Sequence, residues 1–110
     1  MSADDQALEQ LRDRLYVSVV SDVLDAQGYL DQAMSARLRP LTPESRVIGR
    51  AHTMLTVDVY ARPENPYEME IAAVDALKPN DVMVAMTHDS QRTCIWGELL
   101  STAAMARGAT

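Results

Sequence analysis

Five consecutive apolar residues, Val82-Met83-Val84-Ala85-Met86, are followed by a loop and then by Trp96, Leu99, Leu100, Ala103 and Ala104 at helical spacing, ending at Arg107-Gly108. A short, wholly apolar run of this kind fits a strand covered on both faces, as in parallel sheets. Strand, loop and helix make two thirds of a βαβ unit, whose parallel partner strand belongs soon after the helix-ending glycine. Only Ala109 and Thr110 follow. The expectation is therefore an α/β chain in which strand 82–86 lacks a neighbour and leaves apolar surface exposed.

The residues before that unit supply further elements. Leu8, Leu11 and Leu15 recur at helical spacing after Asp4 and Asp5, whose charges suit the positive end of a helix dipole. A second helix carries Val20, Val23 and Leu24 on one face, with Ser18 or Ser21 as its cap and Gly28 as its left-handed end. Pro40 and Pro43 prevent a helix between Tyr29 and Ser45, so that span reads as a long connection. Residues 47–60 are rich in β-branched side chains and read as one long strand, bulged at Gly49, with Leu55, Val57 and Val59 on one side. A turn at Arg62 to Pro66 leads to a third helix marked by Ile71, Val74 and Leu77 and closed by Lys78-Pro79-Asn80-Asp81.

A chain of 110 residues fits one domain. Hydrophobic residues are 47% and charged residues 24%, the balance of a folding chain and not of a disordered one. There is no Phe, so the core falls to Val, Leu, Ile, Ala and the seven Met residues, with methionine expected as a gap filler more than as a binding surface. The formal charge of −6 and the absence of a basic cluster argue against direct contact with nucleic acid. Cys94 is the single cysteine, which excludes an intrachain disulfide and a thiolate metal cage and suits a reducing cytoplasm. No stretch approaches the roughly 18 apolar residues that span a bilayer, and the first residues carry no signal-peptide pattern.

The site-like feature is the strand-to-helix junction from Thr87 to Leu100. Helix N-termini offer unpaired N–H groups and partial positive charge, and ligands of open α/β folds gather at the carboxyl ends of strands. Gly97 lets a ligand approach the backbone, and Glu98 can orient a metal-bound water, accept a proton or cap the helix. The competing reading is an ordinary first turn with Trp96, Leu99 and Leu100 as core. His88 and Asp89 offer a metal ligand or an acid–base pair, against a plain solvated loop tip. His52 has no partner spaced for a metal and reads as structural, Cys94 as a buried small hydrophobe, and Asp22 and Asp25 as a solvated helix face. Arg37, Arg39, Arg46 and Arg50 either collect around an anion or pair with the surplus carboxylates. The sequence has no Gly-rich phosphate loop, no zinc pattern and no Gly-x-Ser-x-Gly elbow.

Taken together, Val20-Ser21-Asp22-Val23-Leu24-Asp25-Ala26, Arg46-Val47-Ile48-Gly49-Arg50-Ala51, Lys78-Pro79-Asn80-Asp81-Val82 and Trp96-Gly97-Glu98-Leu99-Leu100, followed by Ala103-Ala104 and Ala106-Arg107-Gly108, resemble the RraA-like family. That family includes 4-hydroxy-4-methyl-2-oxoglutarate aldolases, regulators of ribonuclease E activity and proteins formerly labelled demethylmenaquinone methyltransferases. The resemblance implies a three-layer β/β/α swivelling-domain fold over residues 1–110, incomplete at its C-terminal strands. It also implies homotrimers or hexamers with sites between subunits. The activity implied is a lyase reaction that releases pyruvate from 4-hydroxy-4-methyl-2-oxoglutarate or oxaloacetate, with Mg²⁺ or Mn²⁺ stabilising the enolate.

Carried over by position, the family's Gly-acidic-Leu-Leu segment falls on Gly97, Glu98, Leu99 and Leu100, whose amides would hold the pyruvyl carboxylate, with Glu98 as the catalytic acidic residue. Counted on from Glu98, the family's substrate-binding Arg and metal-binding Asp fall beyond Thr110, so the resemblance places no metal ligand in these residues. The expectation is a chain short of its C-terminal strands and a poor catalyst alone. A protein-binding regulator of a ribonuclease and a structural remnant stand as the alternatives.

Overall fold

The structure is a computed structural model describing residues 1–110. Six elements follow in order: α1 (Ala3–Arg12), α2 (Val17–Ala26), β1 (Arg50–Leu55), α3 (Glu68–Asp75), β2 (Asp81–Met86) and α4 (Glu98–Ala106). β1 and β2 pair in parallel, with Arg50 opposite Asp81 and Leu55 opposite Met86. β1, α3 and β2 thus form a βαβ unit, and the mixed α/β class expected of the sequence is what the chain adopts.

The local chemistry explains most boundaries. Ser2 caps α1: its hydroxyl accepts from the Asp5 N–H at 3.1 Å while the Asp5 carboxylate accepts from the Ser2 N–H at 2.9 Å, a reciprocal capping box. Helix α2 begins ahead of both expected serines, at Val17, after an extended Tyr16 that offers no side-chain cap. It ends as expected, because Gly28 takes φ +85° and lets the Tyr29 N–H reach back to the Leu24 carbonyl. Gly108, at φ +81°, closes α4 in the same way.

Three expectations need correction. Strand 82–86 does have a neighbour in the chain, since β1 lies along one edge; the residues read as an earlier strand supply it. Its other edge is met only at its start, where the Asn80 N–H donates to the Gly108 carbonyl and the Thr110 N–H to the Asp81 carbonyl, each at 2.9 Å. The long strand 47–60 is in fact Arg50–Leu55, with one further ladder bond from Thr56 N–H to the Met86 carbonyl. Its inward side chains are His52, Met54 and Thr56, half-buried, whereas Leu55, Val57 and Val59 face outward. β2 is likewise half-buried, not covered on both faces.

The core explains why. Only Val74 and Leu77, from α3 and its exit, and Ala104 of α4 are buried apolar residues, with Met83, Trp96, Leu100, Ala103 and Ala109 packed around them. Of the seven methionines, Met1, Met34, Met69, Met86 and Met105 are exposed, which reverses the expectation that methionine fills the core. The accessible surface is 9105 Å², against about 6,100 Å² for a compact monomer of this mass. A radius of gyration of 16.1 Å, against about 13 Å for a compact chain of this length, agrees. Roughly 3,000 Å² of surface beyond the compact expectation is therefore open, much of it apolar. No helix is long and apolar enough to cross a membrane.

Candidate functional site

The chain leaves the C-terminal end of β2 through a tight turn. His88 and Asp89 both take left-handed conformations, φ +54° and +65°, and the Ser90 N–H closes the turn onto the Thr87 carbonyl at 3.0 Å. Two successive left-handed residues match the mirror-image turn that normally selects Asn and Gly. Both side chains are exposed, Asp89 is paired with Arg37, and the Ser90 hydroxyl sits 2.9 and 3.0 Å from the two carboxylate oxygens of Asp58. His88 and Asp89 thus form the solvated loop tip, and Asp89 is engaged with a cation instead of lining a metal site.

The following segment is fastened by Trp96, whose indole Nε1 donates to the Ser101 hydroxyl at 2.9 Å while its ring packs on the core. Cys94 is exposed, against the expectation of burial, and its thiol donates to the Trp96 carbonyl at 3.2 Å. Its position in an irregular stretch, outside the packed face of α4, accounts for this. Trp96 and Leu100 join the core, but Leu99 is 86% exposed. The ordinary-first-turn reading therefore fits two of its three residues.

At Gly97 the backbone is extended, with φ −153°, and no side chain caps the helix. The Ser101 N–H reaches the Gly97 carbonyl at 3.0 Å, so the ladder of α4 begins there. The N–H groups of Glu98, Leu99 and Leu100 consequently have no backbone or side-chain partner, as the geometry of a helix start requires. A Cβ built on Gly97 would meet nothing within 4 Å. Neither backbone conformation nor packing in this chain demands glycine at 97, and what its missing side chain leaves is clear space beside three free donors. The dipole of α4 adds partial positive charge there. Chemically, the arrangement suits one small oxyanion such as a carboxylate.

The same junction does not fit a metal ion by itself. No three His, Cys, Asp or Glu side chains gather anywhere in the chain, and Glu98 stands alone at the helix start. His52 lies at the other end of the sheet, its Nδ1 4.0 Å from Asp81 Oδ2, a structural position as expected. Three of the four arginines are engaged at separate places: Arg37 pairs with Asp89, Arg50 with Asp5 and Asp81, and Arg46 donates to the Leu15 carbonyl at 2.7 Å. Asp22 and Asp25 are exposed.

Sequence reasoning missed one residue that organises the molecule. Asn80, 4% exposed and at φ +64°, accepts from Arg12 Nη2 at 2.7 Å through its side chain. Its backbone N–H reaches Gly108, and its carbonyl accepts the Arg50 N–H at 2.9 Å. The signal was in the Pro79-Asn80-Asp81 turn, since Asn tolerates the left-handed region better than most residues.

Comparison with solved structures gives a match at TM-score 0.77 and 24% identity over 98% of this chain, to a structure described as "Crystal structure of novel cellulases from microbes associated with the gut ecosystem". This chain spans 48% of that one, and at this identity the likeness speaks to fold alone. No curated protein matches. The RraA-like family model, described as Aldolase/RraA, matches residues 17–110, which include all of the sheet and the Gly97 junction. Since that match takes in most of the sequence, the chain belongs to the RraA-like family.

Proposed function

We propose that this chain carries the carboxylate-binding part of a lyase site that releases pyruvate from 2-oxo acids, with 4-hydroxy-4-methyl-2-oxoglutarate or oxaloacetate as substrate. The observation that carries the reading is the set of three unpartnered N–H groups at Glu98, Leu99 and Leu100, with open space before Gly97, in a chain of the Aldolase/RraA family. These amides would bind and orient the carboxylate beside the 2-oxo group, and Glu98 would stand within one residue of it as a proton acceptor. A divalent cation, Mg²⁺ or Mn²⁺, is expected of the family, but the side chains of residues 1–110 do not build its cage. Its ligand and the substrate-binding Arg of the motif fall outside these residues, so turnover belongs to a protein that includes them.

The apolar surface left open supports assembly as a homotrimer or hexamer, in which other copies would cover it. Leu55, Val57, Val59 and Met86 lie 54% to 64% exposed at the same end of the sheet as the carboxylate donors. Exposed apolar area of this extent marks a surface that partners cover.

The test has two readouts. Titration with pyruvate or oxalate should change the fluorescence of Trp96, the only tryptophan and the residue next to Gly97. Pyruvate release from oxaloacetate and 4-hydroxy-4-methyl-2-oxoglutarate with Mg²⁺ should be absent for residues 1–110 and appear in a version extended through the Arg-Asp pair. Failure of the extended version to turn over any 2-oxo acid would overturn the lyase reading.

A further inference from the structure

Helix α1 is joined to the rest of the molecule mainly by charge. Asp5 is its one buried residue, while Leu8 is half-buried and Leu11 exposed, so little apolar surface holds it. Two long-range contacts do the fastening: Arg50 Nη2 donates to Asp5 Oδ1 at 2.7 Å, and Arg12 Nη2 to Asn80 Oδ1 at 2.7 Å. Both land on the N-terminal end of the sheet, at the first residue of β1 and the residue before β2. The RraA-like match over residues 17–110 takes in the whole sheet and α4, and α1 lies ahead of it.

The joint is closed but not satisfied. Arg12 Nε and Asn80 Nδ2 are both buried there without a hydrogen-bond partner. Each such donor has exchanged water for nothing, which favours the undocked state in which water returns to it. Asn80, meanwhile, keeps its backbone bonds to Gly108 and Arg50 whether or not α1 is present, and Arg50 keeps the Pro79 carbonyl at 2.6 Å and Asp81 at 3.3 Å. The body loses little of its own wiring when the helix leaves.

We propose that α1 is a charge-held strap that docks on and lifts from the N-terminal end of the sheet as a unit, releasing the Arg50 guanidinium from Asp5 and uncovering the buried Asn80 amide, while the β1–α3–β2–α4 body stays folded. Docked, the strap offers a carboxylate to Arg50 and a guanidinium to Asn80. Lifted, it leaves a polar, cation-bearing face at the base of the sheet, opposite the carboxylate donors of α4. Because charge holds it, salt weakens the docking.

Amide hydrogen exchange on the whole chain tests this residue by residue. Raising NaCl from 0.05 to 0.5 M should speed exchange of the Ala7–Arg12 amides at least fivefold, with the amides of Val84 and Ala104 unchanged. Asp5→Asn should speed the same amides at least tenfold, but it also removes the carboxylate of the capping box with Ser2. Arg50→Gln keeps that box intact and should reproduce most of the effect. If Asp5→Asn loosens α1 and Arg50→Gln does not, the helix is fraying from a lost cap and the strap is overturned. It is equally overturned if α1 and the body exchange together under all three conditions, since they would then be one cooperative unit.

Discussion

The two ends of the β1–β2 sheet are built on opposite terms. At the N-terminal end, Asn80, Asp81, Arg50, Asp5 and the backbone of Gly49 fill one another's space and take up most of one another's hydrogen-bonding capacity. At the C-terminal end, the chain leaves Met86 through an exposed turn, crosses to Gly97, and presents three donors to solvent with no protein group in front of them. One end is closed because the fold uses it. The other is open although the fold could close it with a single side chain, and such unused capacity beside a helix N-terminus is what a ligand needs.

The two glycines make the contrast sharpest. A Cβ on Gly49 would lie 2.8 Å from Val82 Cγ2 and closer still to the Asn80 carbonyl oxygen, which is backbone and cannot yield. Gly49→Val should therefore cost at least about 3 kcal/mol, or prevent folding, as overpacking against fixed backbone does. At Gly97 a Cβ meets nothing and the backbone is one that any residue adopts, so Gly97→Val should cost no more than about 1 kcal/mol, the preference of a helix N-cap for glycine over a β-branched residue. Its side chain would occupy the space before the Glu98, Leu99 and Leu100 amides, and the fluorescence response to pyruvate should disappear. Urea unfolding and the Trp96 titration, run on both variants, check the pair. Equal destabilisation by the two would break the comparison, and intact binding in Gly97→Val would remove the carboxylate site from this junction.

Asn80→Ala comes next in size. It loses the charge-assisted bond from Arg12 and places a residue with no local hydrogen bonding at φ +64°. A loss of about 2–3 kcal/mol is expected from the two effects together. Chemical denaturation measures it, and a loss below about 0.5 kcal/mol would mean that the N-terminal end is less tightly wired than its contacts suggest.

How much of this was legible beforehand follows from the kind of interaction involved. The α4 start and its glycines could be read because helix ends are written in local sequence: Gly97 before an acidic first turn, Gly108 after the last. The β1–α3–β2 unit was half legible. Its residues read as strand, helix and strand, but pairing is a long-range fact that neither strand states alone. The side of β1 that turns inward was not legible either. The alternation of Leu55, Val57 and Val59 marks a face without saying whether this chain covers it, and His52, Met54 and Thr56 turn inward instead. Cys94 and five of the methionines are exposed, because apolar character states a preference for burial and not the packing position that would satisfy it. Asn80 escaped because a hub made of one side chain and two backbone groups has no periodicity.

The ionisation of Asp5 tests the closed end more gently. The Ser2 N–H, the Arg50 guanidinium and the Ser2 hydroxyl hold its carboxyl below the ordinary carboxylate range; Arg50 also faces Asp81, which His52 approaches in turn. A depressed value in the folded state means that the contribution is complete above the unfolded value near pH 4 and is lost as the pH falls further. Helicity assigned to α1 should therefore be constant from pH 7 to 5 and decline below about pH 4, without a matching change in the amides of β2. A simultaneous decline in both would merge strap and body.

The smallest effect belongs to the open end. His88 holds φ +54° in a turn whose side chain is exposed and has no hydrogen-bond partner in the chain. An L-residue in this region costs about 1–2 kcal/mol, and glycine removes that cost while adding about 0.5–1 kcal/mol of backbone entropy lost on folding. His88→Gly should thus stabilise the chain by roughly 0.5 kcal/mol, visible as a small upward shift in the urea midpoint at constant slope. The Trp96 response to pyruvate should not move, because the donors sit on α4 and His88 only precedes the segment that leads to it. A weakened response would place the turn in contact with the ligand and extend the open end of the sheet from one helix start to the whole loop between Thr87 and Gly97.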